Sequence, residues 1–143
     1  MVKNEKLSTK RLSRIGYNKG QIKKEIIWSI KSSAIFATVG AGTFWLWQMH
    51  LTAIYIDASL YGYWYIPLSL ALLLFLHETY YYWVHRWMHH PKVFRIVHKV
   101  HHDSLPPTPW TAFSFHPWGS LIEALVLPLI LLVILVHIGV LAF

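Results

Sequence analysis

The sequence predicts an all-α integral membrane protein, with about three membrane-embedded helices and a cytoplasmic, histidine-rich helical region. Three observations carry that expectation. Only 13% of the 143 residues are charged and 55% are hydrophobic, whereas about a quarter of an ordinary soluble domain is charged. The apolar residues come in long blocks rather than at scattered positions. Seven of the ten histidines fall in one stretch, HETYYYWVHRWMHHPKVFRIVHKVHH, at 77–102. A chain of this length suits one domain. It divides into a basic cytoplasmic tail at 1–25 and a membrane domain at 26–143.

The tail holds eight of the thirteen Lys and Arg residues: Lys3, Lys6, Lys10, Arg11, Arg14, Lys19, Lys23 and Lys24. A basic segment beside an apolar block is explained by membrane topology and anionic headgroups. No nucleic-acid-binding motif accompanies the net charge of +7, so nucleic acid is not an expected partner. A signal peptide is not expected either, because its charged region is short and a small-residue cleavage site should follow. Span one lies within Ile26–His50, with Trp28 at one end and Trp45 and Trp47 at the other as interfacial anchors. A short connector carries Asp57 as its only charge, and span two runs from about Leu60 to Leu76. Basic residues are absent between the spans but return after span two as Arg86, Lys92, Arg95 and Lys99. The positive-inside rule therefore places the N-terminus and the histidine stretch on the cytoplasmic side. The proline-rich segment DSLPPTPWTAFSFHPW (103–118) predicts a loop. The last apolar block, Leu121–Phe143, then enters the membrane again.

If span two continues as a helix through residue 90, His85 and His89 stand at i, i+4 on one face. His77 lies two turns earlier and roughly 80° away. Pro91 ends that helix at or before His90. His98, His101 and His102 follow at i, i+3, i+4, again one face of a helix. Imidazole is a ligand suited to iron, zinc, copper and nickel. Five aligned imidazoles exceed what one tetrahedral zinc uses, so two metals fit the pattern. The absence of cysteine excludes thiolate metal sites, iron–sulfur clusters and cysteine nucleophiles. Glu78 and Asp103 are the only acids near the stretch. The pair His77–Glu78 is not a zinc-peptidase motif, because Tyr81 stands where its second histidine belongs. A bis-histidine haem needs only one histidine on each of two facing helices, and does not explain a double cluster. Isolated histidines are usually structural, and His50, His90 and His137 are read so. Spacing alone leaves His77 and His116 open. The aromatic run at 80–83 reads as an interface belt, and Arg86 and Lys99 as headgroup or solvent contacts.

HRWMHH, followed by KVFRIVHKVHH and PTPWTAFSFHPW, resembles the fatty acid hydroxylase superfamily in its sterol desaturase branch. The family pattern combines H-x3-H, H-x2-HH and a later HP element. Here these are His85/His89, His98/His101/His102 and His116–Pro117, and the likeness covers about residues 60–135. It implies a membrane di-metal oxygenase that hydroxylates or desaturates a lipid C–H bond with dioxygen. It implies two iron ions, with zinc as a substitute, and a membrane lipid substrate. Electrons would come from a cytochrome b5-like or ferredoxin-type donor, and a homo-oligomer is compatible with such a chain. The family often has a histidine at the places of His77 and His116, which adds both to the ligand candidates. No catalytic residue beyond the metal ligands is expected. Two departures stand out. The family commonly has an acid where Gly119 stands here, so a partner of the ligands is expected to be missing. The family also has a third histidine cluster after a membrane hairpin, and this chain stops within the first arm of that hairpin. The resemblance thus implies a C-terminally truncated member with weak or absent oxygenase activity. The alternatives are a non-redox metal-binding membrane protein and a membrane subunit whose histidines bind a partner.

Overall fold

The structure is a computed structural model and describes residues 18–142. The expected tail cations Lys3, Lys6, Lys10, Arg11 and Arg14 lie outside the described residues. Helix α1 (Lys19–Gln48) has 30 residues, about 45 Å at 1.5 Å per residue. It starts before the expected span because Asn18 caps it, its side-chain oxygen accepting the Gly20 N–H at 2.8 Å. The chain reverses after His50, which holds φ of 56°, and passes through the short strand β1 (Ile54–Tyr55).

Helix α2 (Tyr65–Met88) tolerates Pro67 in its first turn, where the missing N–H would have no helical partner. It carries the second apolar block and runs on unbroken through the first histidines to Met88. His90 then caps helix α3 (Pro91–Val97), its ring accepting the Lys92 N–H at 3.4 Å, with Pro91 at the first position. At His98 the backbone leaves helical geometry, and α4 (Lys99–His102) is one further turn. The proline-rich loop contains a 3₁₀ turn (Pro109–Phe113), closed by reciprocal bonds between Thr108 and Thr111. The final elements are α5 (Pro117–Ala124), α6 (Val126–Leu131), strand β2 (Val136–His137) and a 3₁₀ turn (Ile138–Ala142).

The chain is mainly helical, as expected, but two features depart from the expectation. The last apolar block is not one helix. It breaks at Leu125 and again after Leu131, where β-branched Val133, Ile134 and Val136 lead into β2, which pairs in parallel with β1. No helix among the described residues is long and apolar enough to cross a membrane. In α1 the apolar run is interrupted by Lys31, Ser32, Ser33, Thr38 and Thr43. In α2 it is confined to 66–76, about 16 Å of helix. The apolar core packs Leu73 of α2 against Val126, Ile130, Leu131, Val136 and Val140. Full burial of each such side chain contributes about 1.5–3 kcal/mol, which folds the broken block back onto α2.

Candidate metal centre

The last turn of α2 presents His85 and His89 on one face, and their Nε2 atoms lie 3.2 Å apart. The turn at His90–Pro91 reverses the chain so that α3 delivers His98 onto the same face. Its ring centroid is 4.7 Å from that of His85 and 4.8 Å from that of His89. One nitrogen from each of these three histidines lies within 4.8 Å of the others. His102 joins them at 4.9 Å from His89 and 4.7 Å from His98, ring to ring. His101 is next to His98 at 5.5 Å and stacks on Phe115 at 4.6 Å. The sequence pairing of two sets thus becomes one cluster of five imidazoles. Phe94 forms a wall beside His89 and His102.

The Nε2 atoms of His85 and His89 lie within hydrogen-bond distance of each other, but four other buried nitrogens of this cluster lack partners. His98 is 1% exposed, yet neither of its ring nitrogens has a hydrogen-bond partner, and Nδ1 of His85 and of His101 is likewise buried and unpaired. Buried polar atoms without partners are costly, and groups in native folds that lack them call for a cause such as an ion. Two imidazole nitrogens bound to one tetrahedral zinc-like ion at about 2.0–2.1 Å stand about 3.3 Å apart. The 3.2 Å between His85 and His89 fits that spacing. The residues therefore fit a metal ion held by imidazole.

The electrostatics agree. Burial, followed by the neighbouring imidazoles His85, His102, His101 and His89, lowers the pKa of His98 to about 3. Burial and then His89 and His102 lower that of His85. His101 is lowered by burial and His102, against the backbone of Thr111 and Ser114. His102 is lowered by burial and His89, against Asp103. Each shift keeps the ring neutral, the form that binds a metal.

The other two ligand candidates lie elsewhere. His77 is eight residues before His85, about 12 Å along α2. Its Nδ1 lies 3.1 Å from Glu78 Oε1, and its ring stacks on Tyr81, which stacks in turn on His85. His116 caps α5, accepting the Trp118 N–H at 3.4 Å, and packs against Trp28. Gly119, the place of the expected missing acid, has a packing role. A Cβ there would lie 2.5 Å from the Val97 carbonyl oxygen, so α5 crosses α3 at a distance only glycine permits.

Sequence reasoning missed the support beneath the cluster. Glu25, placed in the solvated tail by its neighbours' charge, is 2% exposed. It accepts bonds from Thr108 and, at 2.7 Å, from Gln21, whose amide also donates to the Pro106 carbonyl at 2.8 Å. Ser29 donates to the Trp110 carbonyl at 2.7 Å and Ser32 to the Phe115 carbonyl at 3.3 Å. The hydroxyl of Ser120 reaches Ser32 at 2.8 Å. This face of α1 holds the proline-rich loop and with it Phe115, the wall behind His101. The signal was legible as polar residues at i, i+4 and i+7 (Glu25, Ser29, Ser32), which share one face of the helix. Glu25→Leu should lower stability by about 1–3 kcal/mol, because it leaves buried donors unpaired. Glu25→Gln, which keeps an acceptor, should cost less than half of that. Urea unfolding of the three proteins side by side is the check.

With this geometry in place, the family model for fatty acid hydroxylase matches residues 70–143. The chain belongs to the fatty acid hydroxylase family. The matched segment of this family member contains His77, all five clustered imidazoles, His116 and Gly119. A Delta(7)-sterol 5(6)-desaturase of Gibberella zeae is 32% identical over 106 residues, 74% of this chain and 33% of that protein. One from Aspergillus fumigatus is 38% identical over 72 residues, 50% of this chain and 22% of that protein. The lathosterol oxidase of Mus musculus is 29% identical over 109 residues, 75% of this chain and 36% of that protein. The chain thus spans about a third or less of the length of these curated relatives. No solved structure matches.

Proposed function

We propose that this chain carries part of the metal centre of a membrane lipid oxidoreductase of the sterol desaturase type. Its substrate would be a lipid C–H bond, hydroxylated or desaturated at the expense of dioxygen and external electrons. The observation that supports this most is the cluster of buried, unpartnered imidazole nitrogens within the family segment. His85, His89 and His98 would hold a first metal, and His101 and His102 would serve a second. Iron, when bound there, supplies oxygen activation and one-electron chemistry. The protein's own part is to bring the five rings together, to keep His85, His98, His101 and His102 neutral, and to wall the cluster with Phe94 and Phe115. The remaining donors of a di-iron centre would come from outside these residues.

A membrane setting is supported by the outer faces of the helices, where Ile30, Trp45, Leu68, Leu74 and Phe75 are all exposed. In that setting the basic residues Arg86, Lys92, Arg95 and Lys99 would mark the cytoplasmic side. They also offer a surface to an acidic electron donor of cytochrome b5-like or ferredoxin type. The test expresses residues 1–143 in membranes and measures iron content together with oxygen-dependent lipid products. Iron with product supports the reading. Among the described residues, ligand nitrogens lie mutually within 4.8 Å for His85, His89 and His98 alone, which favours a second reading, a single-metal module without redox chemistry. Bound zinc with no product under any donor would select it.

A further inference from the structure

The aromatic run at 80–83 reads as an interface belt in the sequence, but the structure divides it. The Tyr80 hydroxyl donates to the Ile122 carbonyl at 2.8 Å and ties α2 to α5. The Tyr82 hydroxyl accepts a bond from Arg86 at 3.0 Å, and the same guanidinium lies 6.0 Å from the Trp83 ring. Both of these rings are exposed. Tyr81 is the member of the run whose ring meets the imidazole cluster. His77, Tyr81 and His85 follow at i, i+4 and i+8, so their side chains rise along one side of α2. The rings of His77 and Tyr81 are nearly parallel, 7° apart with centroids at 6.3 Å. Those of Tyr81 and His85 are 23° apart at 5.6 Å. Offset stacking of aromatic rings operates at centroid distances of about 4.5–7 Å.

His85 needs such a support. The χ2 torsion of a histidine is broad, so the backbone of α2 does not fix which way the ring points. A metal-binding histidine is ordinarily oriented by a hydrogen bond from its other nitrogen. Here Nε2 of His85 is turned toward His89, and Nδ1 is buried with no partner among the described residues. Its neighbours His89 and His98 stand at 55° and 87° to it and are themselves candidate ligands. Tyr81 is its near-parallel neighbour, and rotation of the imidazole about χ2 would drive its edge into the phenol ring. We propose that Tyr81 is the positioning residue of His85: the face of its ring, and not its hydroxyl, holds the imidazole with Nε2 toward the metal. The proposal deepens the metal-centre reading above and rests on it for His85 being a ligand.

The test is Co(II) binding to the purified full chain in detergent, followed by the visible d–d absorption of the bound ion. No oxygen, lipid or electron donor is needed. Tyr81 is 42% exposed, so its truncation removes little core packing. Tyr81→Ala should weaken Co(II) binding by about three- to tenfold, the worth of one aromatic stacking contact. It should also lower the absorption per bound ion, because a loosened imidazole yields its place to water. Tyr81→Phe keeps the ring face and should restore both. Tyr81→Leu keeps bulk without a flat face and should recover less than Tyr81→Phe. Tyr82→Ala removes the same side chain one position on, where it meets Arg86 and Trp83 instead of an imidazole. Its Co(II) affinity and spectrum should match wild type. Equal losses in Tyr81→Ala and Tyr82→Ala would mark a general loosening of α2 and overturn the proposal. So would failure of Tyr81→Phe to restore binding. If Tyr81→Ala does not fold, the order of Tyr81→Phe and Tyr81→Leu decides. A wild-type chain that binds no Co(II) would overturn the metal-centre reading and this proposal with it. A wild-type chain that binds Co(II), with Tyr81→Ala unchanged in affinity and spectrum, would overturn the proposal alone.

Discussion

His98→Ala is expected to lower metal affinity at least about 100-fold, since changes only to a ligand's supporting partners already cost about 10–100-fold. His98 is the most buried ring of the cluster and the hub that touches His85, His89, His101 and His102. Its replacement does two opposing things to the metal-free fold. It removes packing in a buried site, but also two ring nitrogens that have no partners. The stability of the metal-free protein should therefore change much less than metal binding. A ligand that binds only the folded state raises the melting temperature, and that metal-dependent rise should vanish in the variant. Thermal unfolding with and without added Fe(II) or Zn(II) reads both quantities. A variant that keeps the full rise would show that His98 is packing and not a ligand.

Gly119→Ala is the second large effect, and it acts through the backbone. One added methyl would sit 2.5 Å from the Val97 carbonyl oxygen, a backbone atom that cannot rotate away. Overpacking of this kind costs about 1–3 kcal/mol and occasionally more. The carbonyl belongs to the peptide unit that leads into His98, so relief of the clash moves that ring relative to His85 and His89. Loss of stability should come with loss of metal affinity, although residue 119 donates no ligand. Gly42→Ala is the contrast. Nothing lies within 4 Å of its added Cβ, and a mid-helix Gly→Ala change should stabilise by about 0.5–1 kcal/mol. Denaturant midpoints and metal titrations of both variants check the pair. A Gly119→Ala protein as stable as wild type would mean that α5 does not cross α3 this closely.

The parts of the site legible in the sequence were those written as periodicity. His85 and His89 share a face because α2 continues through them, and Pro91 restarts the chain where the histidine spacing requires a turn. His98, His101 and His102 converge despite the break at His98, because its carbonyl still accepts the His101 and His102 N–H groups at 3.1 and 3.4 Å. What depended on tertiary packing was not legible. The block from Leu121 is apolar enough for one helix, but composition does not fix where such a run bends. The break at Leu125 goes with Pro128, which has no N–H to bond the Ala124 carbonyl, and the end after Leu131 leads into the pairing with β1. Gly119 was legible as the place of a missing acid, but that no side chain fits there follows from the crossing of α5 over α3. Glu25 was hidden among basic neighbours, and its burial follows from a loop more than 80 residues away in sequence. His77 and His116 are placed by Tyr81 and Trp28 rather than by the cluster.

Whether these imidazoles form a metal site is read by X-ray absorption at the iron edge of the Fe(II)-loaded chain. Multiple-scattering features of several imidazole ligands are expected, and their loss with the bound iron when His85, His89 and His98 are all replaced by alanine. Iron bound with oxygen ligands alone, or equally retained by the triple variant, would contradict this expectation.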